Sequence, residues 1–186
     1  MEIVNHTELD TRRIEAMFLR ATSQWAAQTL KVTVRYSRGA IYSGTFASNP
    51  CRIYINIGRR NRYPLRIETG IARAKSLGTA WWKPSYHIKA ENAYQLALFV
   101  FLHEVYHYLI YRSRRNGHRK EAMCDRFAVR YLNDHCRLTV FDTDSRPVPK
   151  PAWLFQDLDA FVMNQQTVLA PVRAASRPRK KNEDAS

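Results

Sequence analysis

Residues 90–111 read AENAYQLALFVFLHEVYHYLIY, with neither glycine nor proline to break a helix. The run from Leu96 to Leu102 is apolar on every side, so this segment predicts a buried central helix rather than an amphipathic surface one. Inside it stands His103-Glu104-Val105-Tyr106-His107, an HExxH motif. A spacing of four sets both imidazoles on one helix face about one turn apart, where both can ligate one zinc ion. Glu104 is rotated about 100° from His103. It can therefore lean over a water at the metal without ligating the ion, which is the position of a general base.

A hydrolytic zinc site needs a third protein donor and one open position. The next segment, Gly117-His118-Arg119-Lys120-Glu121-Ala122-Met123-Cys124-Asp125, holds the candidates. Glu121 follows His107 by fourteen residues, room for a turn and the start of a second helix. It is the first candidate, His118 the alternative third ligand, and Asp125 a third choice. Asp125 is one turn beyond Glu121, and could instead accept the second ring N–H of a ligating histidine and fix its tautomer.

Outward from this centre the chain reads as an α+β domain. Residues 8–29 set Ile14, Met17, Phe18, Ala21 and Trp25 at helical spacing. Lys31 to Ser37 and Arg52 to Ile57 alternate in strand fashion, with Gly39 and Gly44 between them, and predict a small sheet. Residues 80–89 add a short edge strand broken by Pro84. Residues 119–134 predict the helix bearing Glu121, and residues 152–166 a last amphipathic helix. The expected domain is 1–170, with a stiff proline-rich linker at 142–151. Residues 171–186, basic and poor in apolar side chains, read as a disordered tail.

At 186 residues, 45% hydrophobic and 25% charged, the chain can bury a core without disulfides, and no stretch suits a membrane span. Three cysteines with no CxxC pair, and no signal-like N-terminus, suit a reduced cytoplasmic protein. Thirty Lys and Arg against sixteen Asp and Glu give a net charge of +14. The basic residues cluster at Arg52–Lys75 and Arg112–Lys120, which points to nucleic acid as a partner beside a protein or peptide substrate. Oligomeric state is silent in the sequence. The plainer readings are packing for Tyr106, Tyr108 and Tyr111, with a catalytic hydrogen-bond donor among them as the sharper one. Likewise His87 reads as an exposed strand residue before an oxyanion stabiliser, Cys124 as a small buried hydrophobe before a redox sensor, and Trp81–Trp82 as core or cleft wall before a stacking platform.

HEVYH followed by Glu121-x-x-Cys124-Asp125-x-Phe127-Ala128 resembles the ImmA/IrrE group of metallopeptidases, which pairs HExxH with E-x-x-A-[N/D]-x-F-A. The resemblance covers residues 95–133. Tyr106 stands where that group usually has a small residue, and Cys124 where it has Ala. The resemblance implies a zincin-like fold, with a small sheet packed on an N-terminal helix and the HExxH helix. It also implies one catalytic zinc held by His103, His107 and Glu121, Glu104 as base, and Asp125 behind a ligand. Members of that group cleave DNA-bound repressors. The SprT-like proteases, which act on DNA-crosslinked proteins, are the second resemblance; there His118 would be the third ligand. The remaining alternative is a non-catalytic DNA-binding protein with a structural metal.

Overall fold

The computed structural model describes residues 1–25, 27, 29–116 and 120–163. The expected tail at 171–186 lies outside them, and so does His118. The fold is α+β. Its main sheet comprises β1 (Glu2–His6), β2 (Lys31–Tyr36), β3 (Tyr42–Ser48) and β4 (Cys51–Ile57), in the order β1-β2-β4-β3. β1, β2 and β4 are mutually parallel; β3 pairs antiparallel with β4 and forms one edge. Helix α1 (Thr11–Ala21) supplies the crossover that parallel β1 and β2 require. It starts where the Asp10 side chain accepts the Arg13 N–H at 2.9 Å.

Isoleucine and valine at alternate positions of β2 and β4 (Val32, Val34, Ile53, Ile55, Ile57) are fully buried beneath the central helix α2 (Ala93–Arg112). Asn92 caps α2 by accepting from the Tyr94 and Gln95 amides. As its all-round apolar sequence requires, α2 buries residues on every face; Phe101 stacks on Phe18 of α1 at 3.9 Å. The helix closes with Arg114 at φ 54° and the Arg115 amide donating to the Ile110 carbonyl, a Schellman-type end built without glycine. Helix α3 (Glu121–Cys136) packs along α2.

Residues 58–90, joined by a short strand at 140–141, add two small sheets. The first joins β5 (Leu65–Thr69), β8 (Tyr86–Ala90) and β9 (Val140–Phe141); the second is a hairpin of β6 (Lys75–Leu77) and β7 (Ala80–Trp82). The stretch 142–151 differs from a simple linker. Asp142 accepts from the Asp144 and Arg146 amides, and the Val148 amide returns to the Val140 carbonyl, folding the prolines into a tight turn against β9. The single C-terminal helix expected over 152–166 is two short ones, α4 (Lys150–Trp153) and α5 (Leu158–Met163). Trp153 is buried, and Arg130 of α3 holds Asp159 of α5 through two hydrogen bonds. No helix among the described residues is long and apolar enough to cross a membrane.

His87 is not exposed. It is fully buried on β8, stacked on Phe141, and neither ring nitrogen has a hydrogen-bond partner. Burial, with Arg66 and Lys89 nearby, depresses its pKa against the opposing pull of Glu68 and Asp142. A histidine that must stay neutral when folded binds more protons unfolded, so its contribution is whole above the unfolded value near 6.5 and is lost as pH falls below it. Replacing His87 by Leu removes two unpaired buried nitrogens, worth about 1–3 kcal/mol. Urea unfolding from pH 7.5 to 5 should show a shallower stability loss for His87→Leu than for wild type; parallel curves would contradict this.

Candidate metal centre

The two HExxH histidines emerge from α2 side by side, with Nε2 of His103 and Nε2 of His107 3.3 Å apart. Glu121, the first residue of α3, brings its carboxylate onto the same spot. One oxygen is 3.1 Å from His103 Nε2 and the other 3.3 Å from His107 Nε2. Ligands at ~2.0–2.1 Å around a tetrahedral zinc stand about 3.3 Å from one another. The separation of the two nitrogens matches an edge of that tetrahedron, and each carboxylate oxygen stands at a similar distance from one of them. Glu121 is largely open to solvent, while both imidazoles are mostly covered.

Asp125, one turn along α3, stands behind His103. Its Oδ1 is 2.9 Å from His103 Nδ1, and its Oδ2 accepts the Gly70 amide at 2.7 Å. An imidazole that donates from Nδ1 keeps its Nε2 lone pair for a metal. Burial alone would lower the pKa of His103, but the hydrogen bond and charge of Asp125, helped by Glu104 and Glu121, leave it raised. His107 moves the other way: burial and the neighbouring His103 lower it against the pull of Glu121.

Cys124 joins the same cluster. Its Sγ and the donor nitrogens of His103 and His107 all lie within 4.8 Å of one another, a group that could hold a metal ion. The sequence suits a buried stand-in for alanine, and the residue is fully buried, but its thiol also stands within reach of the two imidazoles. Its spacing of three from Glu121 was the available signal. Burial, reinforced by Glu121, Asp125 and Glu104, pushes the thiol pKa far up, so without a metal it stays protonated.

Glu104 faces a cleft of about 630 Å³ together with His103, His107 and Glu121. Only 6% exposed, its carboxyl has a pKa pushed up to about 7, chiefly by burial; His103 opposes the rise, Glu121 adds to it, and a hydrogen bond from the Phe46 amide opposes it. That amide belongs to β3, an element the sequence reading passed over as a break at Gly44. Gly44 lies in mid-strand, and a Cβ there would meet Glu104 Cδ and Cγ at 2.8 Å, so only glycine lets the strand approach the carboxylate this closely. Of the three tyrosines considered, Tyr111 lines this cleft; Tyr106 is buried with its hydroxyl on the Leu158 carbonyl, and Tyr108 is buried.

The basic clusters are partly spent inside the molecule. Arg59 pairs with Glu8 and Arg66 with Glu68, Arg73 lies over Phe155 at 4.7 Å, and Arg115 and Lys120 lie over Phe161 at 4.6 and 5.3 Å. Arg119, like His118, lies outside the described residues. Trp81 and Trp82 are not core: they are 77% and 52% exposed on β7, and neither lines the cleft that Glu104 faces. Comparison with protein-family models, with curated proteins and with solved structures returns no match.

If Asp125 orients His103 from behind, Asp125→Asn should weaken zinc about 10–100-fold while leaving the fold intact. Competition with a chromogenic chelator, beside a thermal melt, measures both. Undiminished zinc affinity would remove Asp125 from the centre.

Proposed function

We propose that this chain is a zinc-dependent endopeptidase of the ImmA/IrrE kind, cleaving a protein substrate associated with DNA. The observation that carries the reading is the 3.1–3.3 Å spacing of the His103, His107 and Glu121 donor atoms, with the Glu104 carboxyl on the wall of the same cleft. His103, His107 and Glu121 would hold the ion, a His₂Glu set that leaves a position open for substrate. Zinc bound there supplies Lewis-acid chemistry, acidifying water and polarising a peptide carbonyl.

Glu104 takes up the proton that the attacking water releases and delivers it to the amine nitrogen of the broken peptide bond. Its carboxyl faces the cleft beside the two imidazoles, within reach of a water at the ion, which suits both halves of that transfer. The Phe46 amide and the glycine at 44 hold the carboxyl in place against β3. The outer edge of β3 ends the main sheet, so an extended substrate can add there as a further strand beside Glu104, held mostly through its backbone. The +14 charge supports a substrate that comes bound to a polyanion.

A second reading is favoured by Cys124. If its thiol ligates along with Glu121, four protein donors close the shell and the metal is structural. The SprT-like reading would require His118 as ligand.

With Glu104→Gln, zinc content should remain one per chain while cleavage of a fluorogenic peptide library falls by factors of hundreds. Gly44→Ala should likewise keep its zinc and lose most activity, because the added methyl displaces Glu104 rather than a ligand. Metal analysis and initial rates on the same preparations check both. Full activity in Glu104→Gln would sink the mechanism, and full activity in Gly44→Ala would remove β3 from it.

A further inference from the structure

The hairpin β6–β7 carries the largest exposed apolar groups among the described residues, and no described helix or sheet buries them. Its strands are three residues each, joined by a turn with Gly78 at φ 61°. Trp81 lies opposite Ser76 and Trp82 opposite Lys75. Successive strand residues point to opposite faces, so the two indoles stand one on each side of a thin ribbon. A lone exposed tryptophan needs no explanation, but two adjacent ones at 77% and 52% exposure leave a large apolar area in water.

The chemistry around them is cationic and polar. From Thr69 to Ala90 the chain holds Arg73, Lys75, Lys83 and Lys89 and no acidic residue. The ammonium of Lys75 sits 5.6 Å from the Trp82 ring centroid, on one side of the indole. The rest of the ribbon mixes the hydroxyls of Ser76 and Thr79 with Leu77 and Ala80. A lipid surface would take up a continuous apolar face, and this ribbon splits its two indoles between opposite faces. A flexible polyanion whose aromatic units can settle on either side suits it better.

We propose that the β6–β7 hairpin is a binding site for single-stranded nucleic acid, with bases stacked on Trp81 and Trp82 and the backbone phosphates attracted by the uncompensated positive charge between Arg73 and Lys89. Base–indole stacking tolerates any sequence, and the cations add a salt-dependent part. The site is joined to the metal centre through backbone. Lys83 donates to the Gly70 carbonyl at 2.7 Å, and the Gly70 amide holds the Asp125 carboxylate behind His103. The hairpin is thereby tied to the backbone that holds Asp125, independently of whether the cleft is a peptidase.

The test compares a 20-mer of thymidylate with an abasic oligomer of equal length and charge, using the full chain and its tryptophan fluorescence. Trp25 and Trp153 are buried and give a steady background. The wild type should bind the thymidylate strand about tenfold or more tightly than the abasic one, with quenching. A Trp81→Ala/Trp82→Ala double variant should lose that preference, bind both oligomers as the wild type binds the abasic one, and melt at the wild-type temperature. Equal wild-type affinity for the two oligomers, no binding at low salt, or an unaltered double variant would each overturn the proposal. So would phosphatidylserine vesicles that shift the indole emission while the thymidylate strand does not, an outcome that would make the hairpin a lipid contact.

Discussion

The Asp125 carboxylate accepts from the His103 ring through one oxygen and from the Gly70 amide through the other, and so ties together three parts of the chain distant in sequence. His103 belongs to α2, Asp125 to α3, and Gly70 follows the end of β5. A carboxylate with both oxygens occupied is fixed in position, and so is the imidazole it holds. With His103 oriented, the packing of α3 along α2 sets Glu121 within reach of both Nε2 atoms. Loss of that one residue would loosen the ligand set without emptying the core, whose stability rests on α2, the main sheet and α3.

A second constraint comes from the opposite wall. β3 is held to β4 over its whole length and presses its backbone on Glu104 at Gly44 and Phe46. The acid is thereby buried against a strand while its neighbours on α2 reach across to α3. Two walls, one made of helix and one of strand edge, give a cleft in which the Glu104 carboxyl and the His103, His107 and Glu121 side chains face the same space. The hydrolytic function proposed above rests on that division, since the group that moves the proton must stay apart from the groups that hold the ion.

The sequence made the central helix legible because twenty residues without a breaker, apolar on all sides, have few other solutions. His103, Glu104 and His107 followed from a spacing that only a helix makes meaningful. Glu121 and Asp125 followed from one turn of a second helix. What escaped was carried by backbone. The Gly70 amide has no side-chain signature and lies fifty-five residues from its acceptor. β3, YSGTFAS, alternates weakly and centres on a glycine that reads as a break until Glu104 is seen against it. β1 is a parallel strand whose partner lies beyond a helix, so its few apolar residues gave no local signal. His87 looked like an exposed strand residue because nothing local told that Phe141 would stack over it. Trp81 and Trp82 suit core or cleft wall in the sequence because tryptophan near a strand is usually packed; exposure is a property of the hairpin's place in the fold.

The central claim is that the ion sits between two imidazoles and the Glu121 carboxylate, with a position left open. Zinc K-edge X-ray absorption on the wild-type protein loaded with one equivalent tests it directly. Only nitrogen and oxygen neighbours at ~2.0–2.2 Å, with two imidazoles in the fit, is the expected spectrum. A sulfur neighbour at ~2.3 Å would place Cys124 in the shell and contradict the account.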